Sequence, residues 1–232
     1  MLAVCFLFIV TVRATNEWNC ESSSNAGAFE RSSNCTITGS SYVDVSSSLE
    51  INGTIKDMNN LVTIKAASNQ RHFYINNING KLTLRYVKLR GGDTSNNNDN
   101  PAQLGGSILI FSNGGHLRLH SSILYDNKAR YGGGIACESS TSTIYISDSH
   151  FHKNEATQHG GGAHLGAHGS STIVNTSWTL NTAIGHGGAV IVENKHRLTL
   201  DHNFISTNTA QSHGTIYRDE RVWKTLQQCQ WC

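Results

Sequence analysis

This chain of 232 residues predicts an all-β fold, a right-handed parallel β-helix (a β-solenoid) with coils of roughly 27 residues. Three observations predict it. The stretch "NEATQHGGG", Asn154 to Gly162, returns 27 positions later as "NTAIGHGG", Asn181 to Gly188. Runs such as "LRLH", "TIYIS" and "LTLDH" alternate apolar and polar residues, which suits strands with one buried face. No stretch of the repeats holds apolar residues at helical spacing for three turns, and a fixed period of this length marks a solenoid or an array.

Four copies of the repeat align between Leu117 and Tyr217. One column is all asparagine: Asn127, Asn154, Asn181 and Asn208. Others hold Ala129, Ala156, Ala183 and Ala210; Leu124, Phe151, Trp178 and Ile205; and Leu119, Ile146, Ile173 and Leu200. Gly132 aligns with His159, His186 and His213, followed by Gly133, Gly160, Gly187 and Gly214. In a parallel stack such columns lie one rung apart, about 4.8 Å. An asparagine column then passes amide hydrogen bonds from rung to rung, because each side chain both donates and accepts. Gly, Asn and Ser between the runs suit turns that need positive φ or side-chain bonds to the backbone. One coil offers few large apolar residues against the entropy of ordering it, so stability must come from stacking.

The remaining segments follow in order. Residues 1–14, "MLAVCFLFIVTVRA", resemble a secretory signal cleaved after Ala14, although the charged start is missing; the other reading is a miscalled start or a truncated leader. The apolar run is too short to span a membrane. Residues 15–45 are expected as an N-terminal cap stapled by Cys20 and Cys35, as an oxidising compartment allows. Residues 46–217 form the β-helix. Within it "LEI", "VTI", "FYI" and "LTL", between Leu49 and Leu84, read as first coils with fewer inserted residues. Leu84 and Leu119 are 35 apart, and the surplus falls in a protruding polar insertion at 91–106. Cys137 shares a face with Ile135, which makes it a buried free thiol. Residues 218–232 read as a short helical cap or a tail, or the chain is a fragment; there Cys229 and Cys232 pair with each other or elsewhere, with redox or zinc chemistry as the less favoured reading. Asn34, Asn52 and Asn175 begin glycosylation sequons.

The motifs "GGAV" at 187–190 and "FHKN" at 151–154, with the variants "GGGI", "GGGA", "LYDN", "WTLN" and "ISTN", resemble the polymorphic outer membrane protein repeats of the pectin-lyase-like superfamily. That family pairs GGA plus an aliphatic residue with FxxN. "HGTI" at 213–216 departs from it by losing the second glycine. The resemblance is strong over about 105–217. It implies a right-handed parallel β-helix, surface exposure and adhesion; the membrane barrel of bacterial members is not in this sequence.

The expected function is therefore a secreted or cell-surface, non-enzymatic repeat protein that binds a glycan or a cell-surface protein by many weak contacts. The alternative is a carbohydrate-active enzyme, a pectin lyase-like polysaccharide lyase or a glycoside hydrolase, because this superfold hosts both. "GHG" at 185–187 resembles one polygalacturonase motif, but no paired carboxylates accompany it, and Asp126, Asp148 and Asp201 fall in separate columns. No catalytic residue and no cofactor is assigned. His159, His186 and His213 form a candidate metal set, set against plain turn residues. Eighteen basic and sixteen acidic residues leave a net charge of +2 without a basic run, which points to neither nucleic acid nor anionic lipid.

Overall fold

The computed structural model describes residues 16–22, 26–39, 42–96 and 103–218. Among them are 25 strands and no helix, wound into a parallel β-solenoid of seven coils. The leader expected at 1–14, Cys229 and Cys232 lie outside the described residues, as do positions 97–102 at the middle of the insertion.

Each coil contributes one strand to each of three or four walls. Sheet A stacks Gly27–Arg31, Ser48–Gly53, Lys81–Arg85, His116–His120, Thr143–Ser147, Ser170–Val174 and Arg197–Asp201. Sheet B stacks Cys35–Thr36, Val62–Lys65, Val87–Arg90, Ile123–Tyr125, His150–His152, Ser177–Thr179 and Phe204–Ser206. Sheet C has four strands, Lys128–Tyr131, Glu155–His159, Thr182–Ala183 and Thr209–Ala210. Sheet D runs from Val43–Asp44 through Phe73–Ile75, Ile108–Phe111, Ile135–Glu138, Ala163–Leu165 and Val190–Val192 to Ile216–Arg218.

The alternation in sequence becomes alternation in space. On sheet A, Leu119, Ile146, Ile173 and Leu200 stack inward rung upon rung. On sheet B, Leu124, Phe151, Trp178 and Ile205 do the same, and the rings of Phe151 and Trp178 lie parallel at 3.9 Å. Single residues at positive φ turn the chain between walls. Asp126, Lys153, Leu180 and Thr207 all sit near φ 56 between sheets B and C. A non-glycine residue in that region costs about 1–2 kcal/mol, and the flanking ladders hold it there. Gly132, Gly160 and Gly187 fill the C-to-D corner at φ 65 to 70, where a Cβ would press into the carbonyl three residues on.

Three sequence expectations are corrected. The runs "LEI", "VTI", "FYI" and "LTL" are not several short coils. The first three are the successive walls of one coil, and "LTL" stacks on "LEI", with Leu49 paired to Leu82, 33 residues away. The pairing also begins before residue 46, because Gly27–Arg31, Cys35–Thr36 and Val43–Asp44 already join the next coil. The cap is the segment around Trp18, whose buried ring packs 6.1 Å from Phe73 and whose neighbour Cys20 is bonded to Cys35. Finally, a bulge between Ala129 and Tyr131 places Tyr131, not Gly132, beneath His159, and Gly132 beneath Gly160. The next coil carries one more residue before His159, which produces the slip. "HGTI" is likewise one residue short, so Val190 pairs with Ile216 at a spacing of 26.

Arg90 ends one strand and Ile108 begins the next that is described, and the segment between them holds the expected insertion at 91–106. Its flanks are tied to the wall, with Asp93 bridging Lys128 and Leu104 bridging Tyr131. Cys137 is a buried free thiol facing the core.

Candidate functional site

The outer face of sheet A gathers residues that are far apart in sequence. Strict register puts Lys81, His116, Thr143, Ser170 and Arg197 in one outward column. Thr83, Arg118, Tyr145 and Thr172 form the next, and Arg85, His120 and Ser147 the third. Inward leucines and isoleucines between them fix each strand, so the polar set is held as a rigid array.

This face is a groove of about 930 Å³. At Thr143 and Ser170 it adjoins a hollow of about 510 Å³ whose lining includes Ser140, Thr141, His168, Lys195 and Arg197. Together the two are lined by five Lys or Arg, three His and no Asp or Glu. The lining of these two hollows therefore carries cations without carboxylates, in a chain of net charge +2. The nearest carboxylates stand at the margin: Glu50 pairs with Arg85 at 3.2 Å, and Asp148 stands 3.3 Å from His120. Tyr145 is 46% exposed in the middle of the array. Side-chain hydroxyls brace the imidazoles, Thr143 Oγ1 at His116 Nδ1 and Ser147 Oγ at His120 Nδ1.

The asparagines form a continuous buried ladder. Nδ2 of Asn127 donates to Oδ1 of Asn154, Asn154 to Asn181, and Asn181 to Asn208, at 2.8–2.9 Å. Each also donates to a main-chain carbonyl, Leu124 O in the case of Asn154; Asn154, Asn181 and Asn208 accept from the backbone N–H of the asparagine below, and Asn127 accepts from Gly92 N. Their amides are therefore fully used inside the wall and present nothing to a ligand.

The histidine column is stacked. The rings of His159 and His186 lie 4.8 Å apart and 2° from parallel, and His213 follows at 4.7 Å, with Tyr217 packed on His186. Nδ1 of His159 accepts the backbone N–H of His186, and the Nδ1 atoms of His186 and His213 share a hydrogen bond at 3.0 Å. His159 and His186 are stacked face to face and His213 is tilted 53° to His186, and with Nδ1 of each consumed by a neighbour the three rings do not converge on a point. Among the described residues no group of three or more His, Cys, Asp or Glu could hold a metal ion. His186 of "GHG" belongs to this column and has no carboxylate pair beside it.

A second ionic cluster lies on the outer face of sheet D, where Tyr131 and Leu104 cover Leu109 and Ala136. His164 is buried there between two rungs, its Nδ1 2.9 Å from Glu138 and its Nε2 3.1 Å from Glu193. Burial alone would lower its pKa, but the two carboxylates outweigh burial and raise it to about 9. The same imidazole holds the Glu193 carboxyl below its ordinary range.

Of the sequon asparagines, Asn34 and Asn175 are exposed and Asn52 is half-buried. Asn34 Oδ1 accepts from Thr63 N, Asn52 Nδ2 donates to Glu50, and Asn175 Nδ2 donates to Asp148. Sequence reasoning missed the basic groove, because its cations come from different coils and no two stand in a run. It missed His164 as well: Glu138, Gly166 and Glu193 stand at successive spacings of 28 and 27, so the regular period of 27 leads from Glu138 to Leu165 instead.

Comparison with protein-family models, curated proteins and solved structures returns no match.

Proposed function

We propose that this is a secreted or cell-surface, non-enzymatic β-solenoid that binds an extended acidic glycan along the outer face of sheet A. The observation that carries the reading is a groove and an adjoining hollow lined together by five Lys or Arg and no carboxylate, on a rigid wall. Guanidinium and ammonium groups interspersed with Ser and Thr hydroxyls match a chain that bears carboxylates or sulfates as well as hydroxyls. Exposed ion pairs are individually weak, so affinity comes from several rungs acting together. Glycoside hydrolysis needs paired carboxylates, and the groove lining supplies none, which favours binding over turnover. The Cys20–Cys35 disulfide supports an oxidising, extracellular setting, and no helix among the described residues is long and apolar enough to cross a membrane. Kinship with the polymorphic outer membrane protein repeats, glycosylation at Asn34, Asn52 or Asn175, and an adhesive role belong to the same proposal. They rest on the motifs, the sequons and the parallel solenoid.

Calorimetric titration with dextran sulfate, polygalacturonate and neutral dextran tests it. The expected result is salt-sensitive binding of the acidic chains, no binding of neutral dextran, and loss of binding in Arg118→Glu/Arg197→Glu. Equal binding of neutral dextran, or an unaffected charge-reversal variant, would overturn it. So would unsaturated or new reducing ends released from pectin or alginate by rigorously purified protein.

A further inference from the structure

Three imidazoles share the groove with its permanent cations. His116 faces Lys81 on one neighbouring strand and Thr143 on the other. His168 stands in the adjoining hollow with Lys195 and Arg197. His120 faces Arg85 and Ser147, with the Tyr86 ring at 5.8 Å and the Asp148 carboxylate at 3.3 Å. We infer that the groove binds its anionic chain with linked uptake of protons, so that acidification below neutrality tightens the complex; this rests on the acidic-glycan reading above.

The argument is reciprocal linkage. A polyanion laid over an imidazole favours its protonated form. Binding and protonation must then reinforce each other to the same degree. His116 and His168 suit this role best, because cations and hydroxyls surround them and no carboxylate of the groove lining cancels the charge gained. His120 contributes less, since Asp148 offsets it. The bracing hydroxyl beside His116 permits either state: Thr143 Oγ1 donates to a neutral Nδ1 and accepts from a protonated one.

Other histidines are built against the same change. Nε2 of His72 bonds to the carbonyls of Ile64 and Arg90 and its Nδ1 shares a hydrogen bond with Ser107 Oγ, and complete burial of the ring disfavours its charged form. His196 is held likewise between Ala167 O and Ser171 Oγ. The His159–His186–His213 column, with Glu193, His164, Tyr131 and Tyr217 around it, lies on a different wall, and its Nδ1 atoms are consumed within the ladder.

Dextran sulfate is the suitable probe, because its sulfate esters stay ionised throughout and any pH response belongs to the protein. Binding is measured calorimetrically at pH 7.5, 6.5 and 5.5, at one ionic strength and in two buffers of different ionisation heat, with circular dichroism to verify folding at each pH. Affinity is expected to rise about tenfold from pH 7.5 to 5.5, the order of a few added exposed ion pairs, with net proton uptake at pH 6.5. In His116→Gln/His168→Gln the ratio of affinities falls towards unity and most of the uptake vanishes, whatever its affinity at pH 7.5. His159→Gln keeps the wild-type response. Binding that is flat with pH and takes up no protons would overturn the linkage while leaving the glycan reading intact, as would a double variant with wild-type uptake. Absence of binding at every pH would overturn both.

Discussion

Gly166 lies against the carboxylate of Glu138, in space that a Cβ would need, and this clearance lets Glu138 reach His164 on the neighbouring rung. Gly166→Ala is therefore expected to push Glu138 away and leave the buried imidazole with one carboxylate. Breaking a buried pair costs about 3–5 kcal/mol when a partner is removed outright; displacement should cost part of that. Urea unfolding of the two proteins at pH 7 measures the difference, and equal midpoints would count against this role for the glycine.

The same cluster makes stability fall in mild alkali. His164 titrates at about 9 in the fold, above the ordinary value of 6.5, so the folded state holds this proton more tightly than the unfolded chain. The contribution is complete below about pH 6.5 and is lost as pH rises through 9. Its size is on the order of 3 kcal/mol. Unfolding midpoints taken from pH 6.5 to 9.5 should decline in the wild type and stay nearly level in His164→Gln.

On the acid side the sign reverses. Burial pushes His72 and His196 down to about 4, against the pull of their carbonyl hydrogen bonds. Below pH 6.5 the unfolded chain takes up protons that the fold refuses. Stability is thus undiminished by these two residues above pH 6.5 and erodes as pH drops towards 4. The urea midpoint at pH 4.5 should lie well below that at pH 7.

Truncating the asparagine ladder should cost most in its middle. Asn154→Ala strands the amide of Asn127 and the carbonyl of Leu124 in a dry wall. Each unmet buried group costs about 1–3 kcal/mol. Asn208, 7% exposed at the end of the ladder, should give a smaller loss on the same change. Thermal unfolding of both variants gives the comparison.

Reducing the Cys20–Cys35 bond should loosen one end only. The bond closes a separation of 15 residues, which corresponds to about 3 kcal/mol of stabilisation. Hydrogen exchange should then rise in Gly27–Arg31 and Ser48–Gly53 while Thr143–Ser147 stays protected.

The period, the inward columns and the asparagine ladder were legible in the sequence because one kind of residue recurs at one spacing and the hydrogen bond itself demands identity. The slip at Tyr131 was not. Triple glycines at 132–134 and 160–162 let an alignment slide by one position without penalty, and only the bulge after Ala129 fixes it. The groove was hidden for a different reason. Lys81, Arg118 and Arg197 occupy two columns and come from three coils at no common spacing, so their charge adds only once the rungs are stacked. His164 escaped notice because its partners stand on either side in sequence, bracketing a glycine.

The extra residue beside Gln158 and the one missing after Gly214 are each absorbed within a corner, and the following strand lands back on its neighbour. Length variation is in this way uncoupled from recognition: a turn can grow or shrink without shifting any cation of the outer wall. Descendants of such a chain are free to respell what that wall touches, one position at a time, over an unchanged frame.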